Sequence, residues 1–474
     1  MIGSPYTTFR AYRLPRTHGR SSPFLGPFTL DDPTVPITRL WMVRIIVFHA
    51  VLGIALKYIP YLSLLYALVV GWYALSTAIR TPTADRILYT IGYIAGAEVL
   101  IRMTKAPVLW MYSEYLILVL AIVLINRMRP VRRQLMSPLV YFLLLLPSVA
   151  VSALSGDWSA FRQGVAFNLA GPVCLGIGVL AVSRLSFSRR TYEGAMFFAA
   201  LPVVSVAAIV AVRHLGGTEV HYAVSAASKE ASGGYAPNQV SNALSFGAVM
   251  FLSLAAIAEK WKAGRTMMIV LFILLTVLAV LTMSRGGAWN LAAFCIPFFL
   301  FRLGKAKKRF RFLLGSAMVL LLYGEFIVPW MDKYSEGALE RRYKDTNVTH
   351  RDEMARSELR AFTESPLTGV GPGMSAKYRR EVLRGEYSES HTEFTRLLAE
   401  HGVFGIAAFL ALVYLFAVIT IRARKTIDRG WILGAILWVV VFFSHSATRL
   451  VIFAFLIMLA TILSSIEDRE MASP

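Results

Sequence analysis

The chain has 474 residues, of which 56% are hydrophobic and only 16% charged, and its mean hydropathy is +0.58. A soluble protein usually contains about 25% charged residues, so this composition excludes an ordinary soluble enzyme and indicates repeated membrane spans of about 20 apolar residues each. The net charge of +21 does not indicate nucleic acid as a partner. The basic residues fall in short clusters between apolar runs, as the positive-inside bias predicts.

The first segment, residues 1–39, combines arginines with prolines and lacks the apolar stretch of a signal peptide. We therefore predict a cytoplasmic N-terminal tail. Farther along, Cys174 and Cys295 both lie inside apolar runs. They provide neither a disulfide framework nor the spacing of metal ligands.

Apolar runs follow one another from residue 40 to residue 330 and again from residue 404 to residue 466. They are 40–57, 61–80, 86–103, 107–126, 137–154, 161–183, 193–212, 240–257, 266–283, 287–302, 312–330, 404–420, 431–447 and 450–466. With the N-terminus inside, strict alternation places every basic cluster in the cytoplasm, together with the C-terminal tail at 467–474. Removing any adjacent pair preserves this alternation, so the sequence predicts 12–14 transmembrane helices.

Two long connections face the other side, 213–239 and 331–403, and the second is a large loop between the fourth-last and third-last runs. Loops of this length in a compact protein are usually functional or disordered. The second has helical periodicity, so we expect it to be ordered. Its first helix is predicted over 349–362, starting at Thr349 and ending near Ser365 because Pro366 disfavours helical backbone before it.

A second loop helix is predicted over 390–401, with Ser390 as N-cap, Glu393 completing a capping box and Gly402 ending the helix. This places His391 in the first helical turn. The positive end of the helix dipole disfavours imidazolium there, so a neutral His391 could accept a proton near pH 7 as a general base. The alternative is an ordinary polar residue in a first turn.

Several cations lie at the external ends of the apolar runs, where a charge near hydrocarbon is costly and usually faces a cavity. Arg285 is the first of these, next to paired glycines that permit close approach of a ligand. The others are Arg102, Lys105, Arg162, Arg213, His214, His445 and Arg449. Each alone is typical of an interfacial anchor, but several in one cavity would bind a diphosphate.

These motifs together resemble the O-antigen ligase and O-antigen polymerase superfamily. The matching segments are SRGGAW at 284–289, the stretch from Arg351 through ESPLTGVGPG at 364–373, HTEF at 391–394 leading to LLAEHG at 397–402, and the weaker Pro237-Asn238 pair. Their order, beside or within a long external loop before the last spans, also matches the family.

The resemblance implies an all-α, polytopic, GT-C-like glycosyltransferase of the bacterial inner membrane whose active site faces the periplasm. Its donor would be an undecaprenyl-diphosphate-linked glycan and its acceptor a sugar hydroxyl of lipid A–core, with inversion and without a cofactor or a metal ion. His391 matches the proposed general base, and Arg285 matches an arginine expected to hold the diphosphate. The remaining residues predicted to bind substrate are Arg351, Arg162, Arg213, Asn238 and Arg449.

Three other functions remain open at this point. A polymerase would use the same donor to extend the glycan, and a protein O-oligosaccharyltransferase would use a serine or threonine acceptor. Arg360 and Gly371 have a spacing discussed for polymerases, but glycine is frequent in this chain. A transporter would require polar residues along the middle of several spans, whereas the ionisable residues here concentrate at the external ends.

Overall fold

A computed structural model describes residues 38–80, 83–132, 134–154, 158–215, 228–257, 264–303, 325, 351–383 and 390–466, and these residues contain α-helices and no strand. In chain order the helices are α1 (Arg39–Tyr58), α2 (Pro60–Arg80), α3 (Ala84–Met103), α4 (Tyr112–Arg127), α5 (Ser137–Leu145), α6 (Pro147–Ala153), α7 (Trp158–Ser183), α8 (Arg189–Leu215), α9 (Pro237–Ile257), α10 (Arg265–Leu281), α11 (Arg285–Arg302), α12 (Arg351–Glu364), α13 (Ala376–Val382), α14 (Glu393–Arg422), α15 (Thr426–Phe443) and α16 (Ile452–Leu463).

The prediction of an all-helical, multi-pass membrane protein is confirmed. Seven of the described helices, α1, α2, α7, α8, α9, α14 and α15, are long and apolar enough to cross a membrane by length and composition. Every predicted apolar run overlaps one of the helices α1–α16 except 312–330, of which residue 325 alone is described. The 12–14 crossings, the GT-C-like arrangement, the domain bounds and the cytoplasmic termini stay predictions, and the two predicted tails also fall largely outside the described residues.

Helix α16 is surrounded by other helices on all sides, since every one of its residues is buried. Close packing there depends on small residues. An added Cβ on Gly92 would lie 2.8 Å from the carbonyl oxygen of Ala195, and one on Gly96 would lie 2.0 Å from that of Ala199. The spacing of four in both α3 and α8 is the small-xxx-small pattern that lets membrane helices approach closely.

One predicted span divides in the structure. The run 137–154 forms α5 and α6, which meet at Leu146 and Pro147. Proline has no N–H group to donate within a helix and clashes with the preceding turn, so the chain restarts as a new helix there. The break exposes the Leu145 carbonyl oxygen, which accepts a hydrogen bond of 2.9 Å from the Ser148 hydroxyl.

The first loop helix agrees with the sequence prediction at its end. Helix α12 stops at Glu364, directly before Ser365 and Pro366; the predicted cap Thr349 lies outside the described residues. The glycines that follow all have left-handed backbone, with φ values of +68° at Gly369, +94° at Gly371 and +82° at Gly373. They make tight turns in a backbone conformation that glycine adopts without a steric cost.

The predicted capping box at 390–393 is wrong. The N-cap is Thr392, whose hydroxyl accepts a hydrogen bond of 3.2 Å from the Thr395 amide. Ser390 instead donates to the Thr392 carbonyl, and the Glu393 carboxylate pairs with Arg396. His391 therefore lies just before the cap, outside the first helical turn.

Gly402 interrupts the helix as predicted, with φ +59° and ψ −138°, but α14 continues on the other side as a membrane helix. The segment 366–371 bridges this break. The Val403 amide donates to Pro366, and the amides of Val370 and Gly371 donate to the carbonyls of Ala399 and Glu400, with N···O distances of 2.8, 2.9 and 3.1 Å. Loop and membrane helix are thereby joined through the backbone.

Candidate active site

Two carboxylates and one arginine form a buried cluster on the first turns of α14. Glu393, Arg396 and Glu400 are 0%, 2% and 1% exposed. Their spacing of three and four residues places them on one helix face. The Arg396 guanidinium contacts Glu393 at 2.5 Å and Glu400 at 3.0 Å. Both carboxylates thus fix the orientation of Arg396.

This cluster continues into the loop helices. Ser375, at the start of α13, donates to Glu400 at 2.7 Å, and Arg379 donates to the Ser375 hydroxyl and to Glu358 of α12, both at 2.7 Å. Burial raises the pKa of Glu358 above its ordinary value, and Arg379 opposes that rise. Because Thr395 of α14 also donates to Glu358, the three helices share one polar core.

A second buried cluster lies on α3 and α4. The Arg102 guanidinium contacts Glu98 and Glu114, each at 2.8 Å, and stacks on the Trp110 ring at 4.8 Å. It also donates to the carbonyl oxygen of Arg449 at 2.8 Å. Arg102 was one of the cations that the sequence places at external helix ends. In the structure its hydrogen bond supports the backbone at residue 449.

Residues 444–451, here called the 444–451 turn, connect α15 to α16 and are held by both clusters. From one side, Glu98 accepts the Val451 amide at 2.8 Å. From the other, Arg396 donates to the Thr448 hydroxyl at 3.2 Å. The Arg449 side chain donates to the carbonyl oxygen of Ser390, the residue before His391. The structure therefore brings Arg449 and the segment of His391 together.

The SRGGAW motif packs against the same turn. A Cβ on Gly286 would lie 2.4 Å from the His445 ring, so the glycine lets this ring pack against α11; close approach of a ligand there stays a prediction. On the other side of Arg285, the Ser284 hydroxyl donates to Asn238 at 2.8 Å. Arg285 opens α11 and is half-buried. Asn238 and Arg285 thus belong to one neighbourhood, next to the turn that holds Arg449.

A cavity of about 720 Å³ opens beside the 444–451 turn and is lined by α4, α7, α13 and α14. Four arginines line it, Arg379, Arg380, Arg396 and Arg449, and none of the described lining residues is an aspartate or a glutamate. Its other walls combine polar, aromatic and aliphatic residues, among them Gln163, Asn168, Trp110, Phe167 and Leu109. Such a cavity suits an anionic ligand with an apolar part.

The remaining predicted residues lie elsewhere or at the edge. Arg213 pairs with Glu230 at 3.3 Å in a separate cavity of about 430 Å³. Arg162 is exposed and directly precedes Gln163, which lines the larger cavity. Arg351 begins α12. The binding and catalytic roles of all these residues stay predictions.

Sequence reasoning missed Arg379, Arg380 and Arg396. Arg396 had a signal, because it stands three residues after one glutamate and four before another on a predicted helix, where ion pairs form. The Arg379-Arg380 pair reads as an ordinary solvated charge run. Only the tertiary fold shows that both arginines line the cavity.

Residues 270–410 match the family model described as O-antigen ligase. The matched stretch, 141 of the 474 residues, supports an assignment to the O-antigen ligase family. It begins in α10, includes Arg285 and the loop helices α12 and α13, and ends in α14 beyond Arg396. No curated protein matches the chain.

This match supports a multi-pass membrane enzyme of the O-antigen ligase or polymerase type and implies lipid-linked glycans as substrates. Among the described residues of the chain, no three His, Cys, Asp or Glu side chains are grouped as metal ligands would be. Metal independence stays a prediction from the resemblance.

Proposed function

We propose that this protein is an O-antigen ligase that transfers a glycan from undecaprenyl diphosphate to a sugar hydroxyl of lipid A–core at the periplasmic face of the inner membrane. The observation that carries this proposal is the cavity lined by four arginines, next to the segment that bears His391. Neither a cofactor nor nucleic acid has a part in it.

The arginines suit a diphosphate in two ways. Arg379 and Arg396 are oriented from behind by Glu358, Glu393 and Glu400, so little side-chain freedom remains to be lost when an anion binds. Arg380 and Arg449 add positive charge on the same cavity. Guanidinium forks match phosphate oxygens in pairs, which fixes the orientation of the ligand as well as its charge.

The apolar side of the cavity suits the polyprenyl chain. Leu109 and Trp110, on its rim, are 68% and 49% exposed. In a membrane protein, such exposed apolar side chains contact lipid, and tryptophan is enriched at the membrane–water interface. A diphosphate held by the arginines could therefore keep its prenyl tail in the bilayer.

The mechanism we propose is a single displacement. The acceptor hydroxyl oxygen attacks the anomeric carbon, the bond from that carbon to the phosphate oxygen breaks, and the anomeric configuration inverts. His391 takes the hydroxyl proton as general base. The arginines, with Arg285 and Asn238 at the neighbouring edge, stabilise the charge that develops on the departing undecaprenyl diphosphate.

The test is a reconstituted reaction with purified protein, undecaprenyl-diphosphate-linked glycan, lipid A–core and EDTA, with the products separated on a gel. Wild type should place glycan on lipid A–core, His391→Ala should lose about 10²–10⁴-fold of the rate, and Arg449→Gln should weaken donor binding. The matched control is Arg360→Gln, which removes an equal charge from an arginine 64% exposed. Longer lipid-linked glycan with unmodified core would instead mean a polymerase, and an equally active His391→Ala would refute the proposed base.

A further inference from the structure

A second arginine-lined cavity, of about 330 Å³, lies at the far ends of helices that frame the candidate active site. Helix α7 contributes Gln163 to the first cavity and Ser183 to the second, and α14 contributes Arg396 to the first and Arg422 to the second. At 1.5 Å per residue these stretches are roughly 30–40 Å long. The two cavities therefore lie near opposite faces of the membrane.

Three arginines and four hydroxyl groups line this cavity, and none of its described lining residues is acidic. The arginines are Arg132, Arg422 and Arg424; the hydroxyl groups belong to Ser183, Thr461, Ser464 and Ser465. Each hydroxyl donates its proton to a carbonyl of its own helix, with distances of 2.7–3.0 Å. The arginines would therefore provide the donors for a ligand, which must be an anion.

The negative ends of the helix dipoles offset only part of this positive charge. The C-termini of α7, α14 and α16 meet here, and each is equivalent to about −0.5 elementary charge, or about −1.5 together. Three guanidinium groups contribute +3. The remaining charge of about +1.5 is larger than the single negative charge of a phosphodiester headgroup, so one such group would be attracted to the cavity.

The surroundings of the cavity favour a lipid over a soluble anion. Val131 precedes Arg132, and Ile421 precedes Arg422; these apolar side chains are 68% and 74% exposed. Met136, one residue beyond the lining residue Leu135, is 46% exposed. An apolar surface around a cationic recess at a membrane face matches acyl chains below a phosphate headgroup.

We propose that this cavity binds the phosphate headgroup of an anionic phospholipid in the leaflet opposite the candidate active site. The bound lipid would join the ends of α7, α14 and α16 to the connection between α4 and α5. This site is independent of the proposed ligase reaction.

The test is lipid retention by the full-length protein in detergent, measured by native mass spectrometry with phosphatidylglycerol, phosphatidylcholine and inorganic phosphate as separate probes. Wild type should retain phosphatidylglycerol at least tenfold more strongly than phosphatidylcholine. The double variant Arg422→Gln/Arg424→Gln should lose that preference, and Arg422→Lys/Arg424→Lys should keep part of it. The control Arg360→Gln/Lys377→Gln removes the same charge from the loop helices and should bind like wild type.

Three results would overturn the proposal. One is equal retention of the two lipids by wild type, and the second is an unchanged preference in the glutamine double variant. The third is binding of inorganic phosphate without phosphatidylglycerol, which would mean a soluble ligand. If the glutamine double variant is not monodisperse, Arg132→Gln replaces it and should reduce the preference.

Discussion

Removing Arg396 should destabilise the protein strongly, because two buried carboxylates would lose the cation between them. Arg396→Met keeps an unbranched apolar chain but leaves Glu393 and Glu400, which are 0% and 1% exposed, without their shared partner. Breaking a buried ion pair from one side costs about 3–5 kcal/mol. Ser375 and Thr448 remain as weaker partners, so we expect the lower half of that range.

The measurement is the free energy of unfolding in mixed detergent micelles, compared with the control Arg360→Met. Arg360 makes ion pairs with Glu364 and Glu381 but is 64% exposed, and exposed pairs contribute only about 0–1 kcal/mol.

A triple variant, Glu393→Gln/Arg396→Met/Glu400→Gln, tests the reason for the loss. It removes all three charges, so most of the lost stability should return. A single Arg396→Met variant within about 1 kcal/mol of wild type would refute the reasoning, as would a triple variant no more stable than the single one.

Three further changes test separate parts of the fold. Gly402→Ala forces a left-handed backbone on a residue whose Cβ would lie 2.5 Å from the Pro366 carbonyl oxygen, so thermal unfolding should show a loss of at least about 1–3 kcal/mol; Gly264→Ala, which would meet only the flexible end of Met42, is the control. Gly96→Ala should cost about 1–3 kcal/mol by separating α3 from α8, and an unchanged unfolding midpoint would contradict that packing. Glu358 has a raised pKa because of burial. Its contribution to stability is therefore fully present below about pH 4.5 and is lost as pH rises through the raised pKa. The free energy of unfolding of wild type relative to Glu358→Gln should fall from pH 4 to pH 7, and a rise would contradict the argument.

The helices were predictable from the sequence because backbone polar groups in hydrocarbon must be satisfied within the segment. This single requirement makes a long apolar run such as 193–212 a helix whatever surrounds it. Local breaks were less predictable. The proline at 147 allowed either a kinked span or two helices, and the structure has two.

Capping was mispredicted because two hydroxyl residues compete at the start of α14. Ser390 and Thr392 are both good N-caps, and the spacing of Ser390 to Glu393 fits a capping box. What decides the choice is tertiary: Glu393 is taken by Arg396, and the Ser390 carbonyl by Arg449. A single sequence does not contain those contacts.

The residues of the candidate site were also only partly predictable from the sequence. The motif residues Asn238, Arg285 and His391 were identified before the fold, and the structure places all three around or beside the 444–451 turn. Arg213 was grouped with them on charge alone, but it pairs with Glu230 in another cavity. The loop arginines 379 and 380 become candidates only when α13 and α7 are seen to line the same cavity.

The bridged break at Gly402 limits how the loop of this protein could be exchanged. In an uninterrupted helix the Val403 amide would donate to Ala399, but here it donates to Pro366 while Val370 donates to Ala399 in its place. These backbone groups keep their hydrogen-bond partners only while the segments 366–371 and 399–403 are both present and in the same register. A chimera that grafts a foreign periplasmic loop onto this α14 would leave those groups unpaired at the membrane surface, so the smallest exchangeable cassette extends from α12 through the whole of α14.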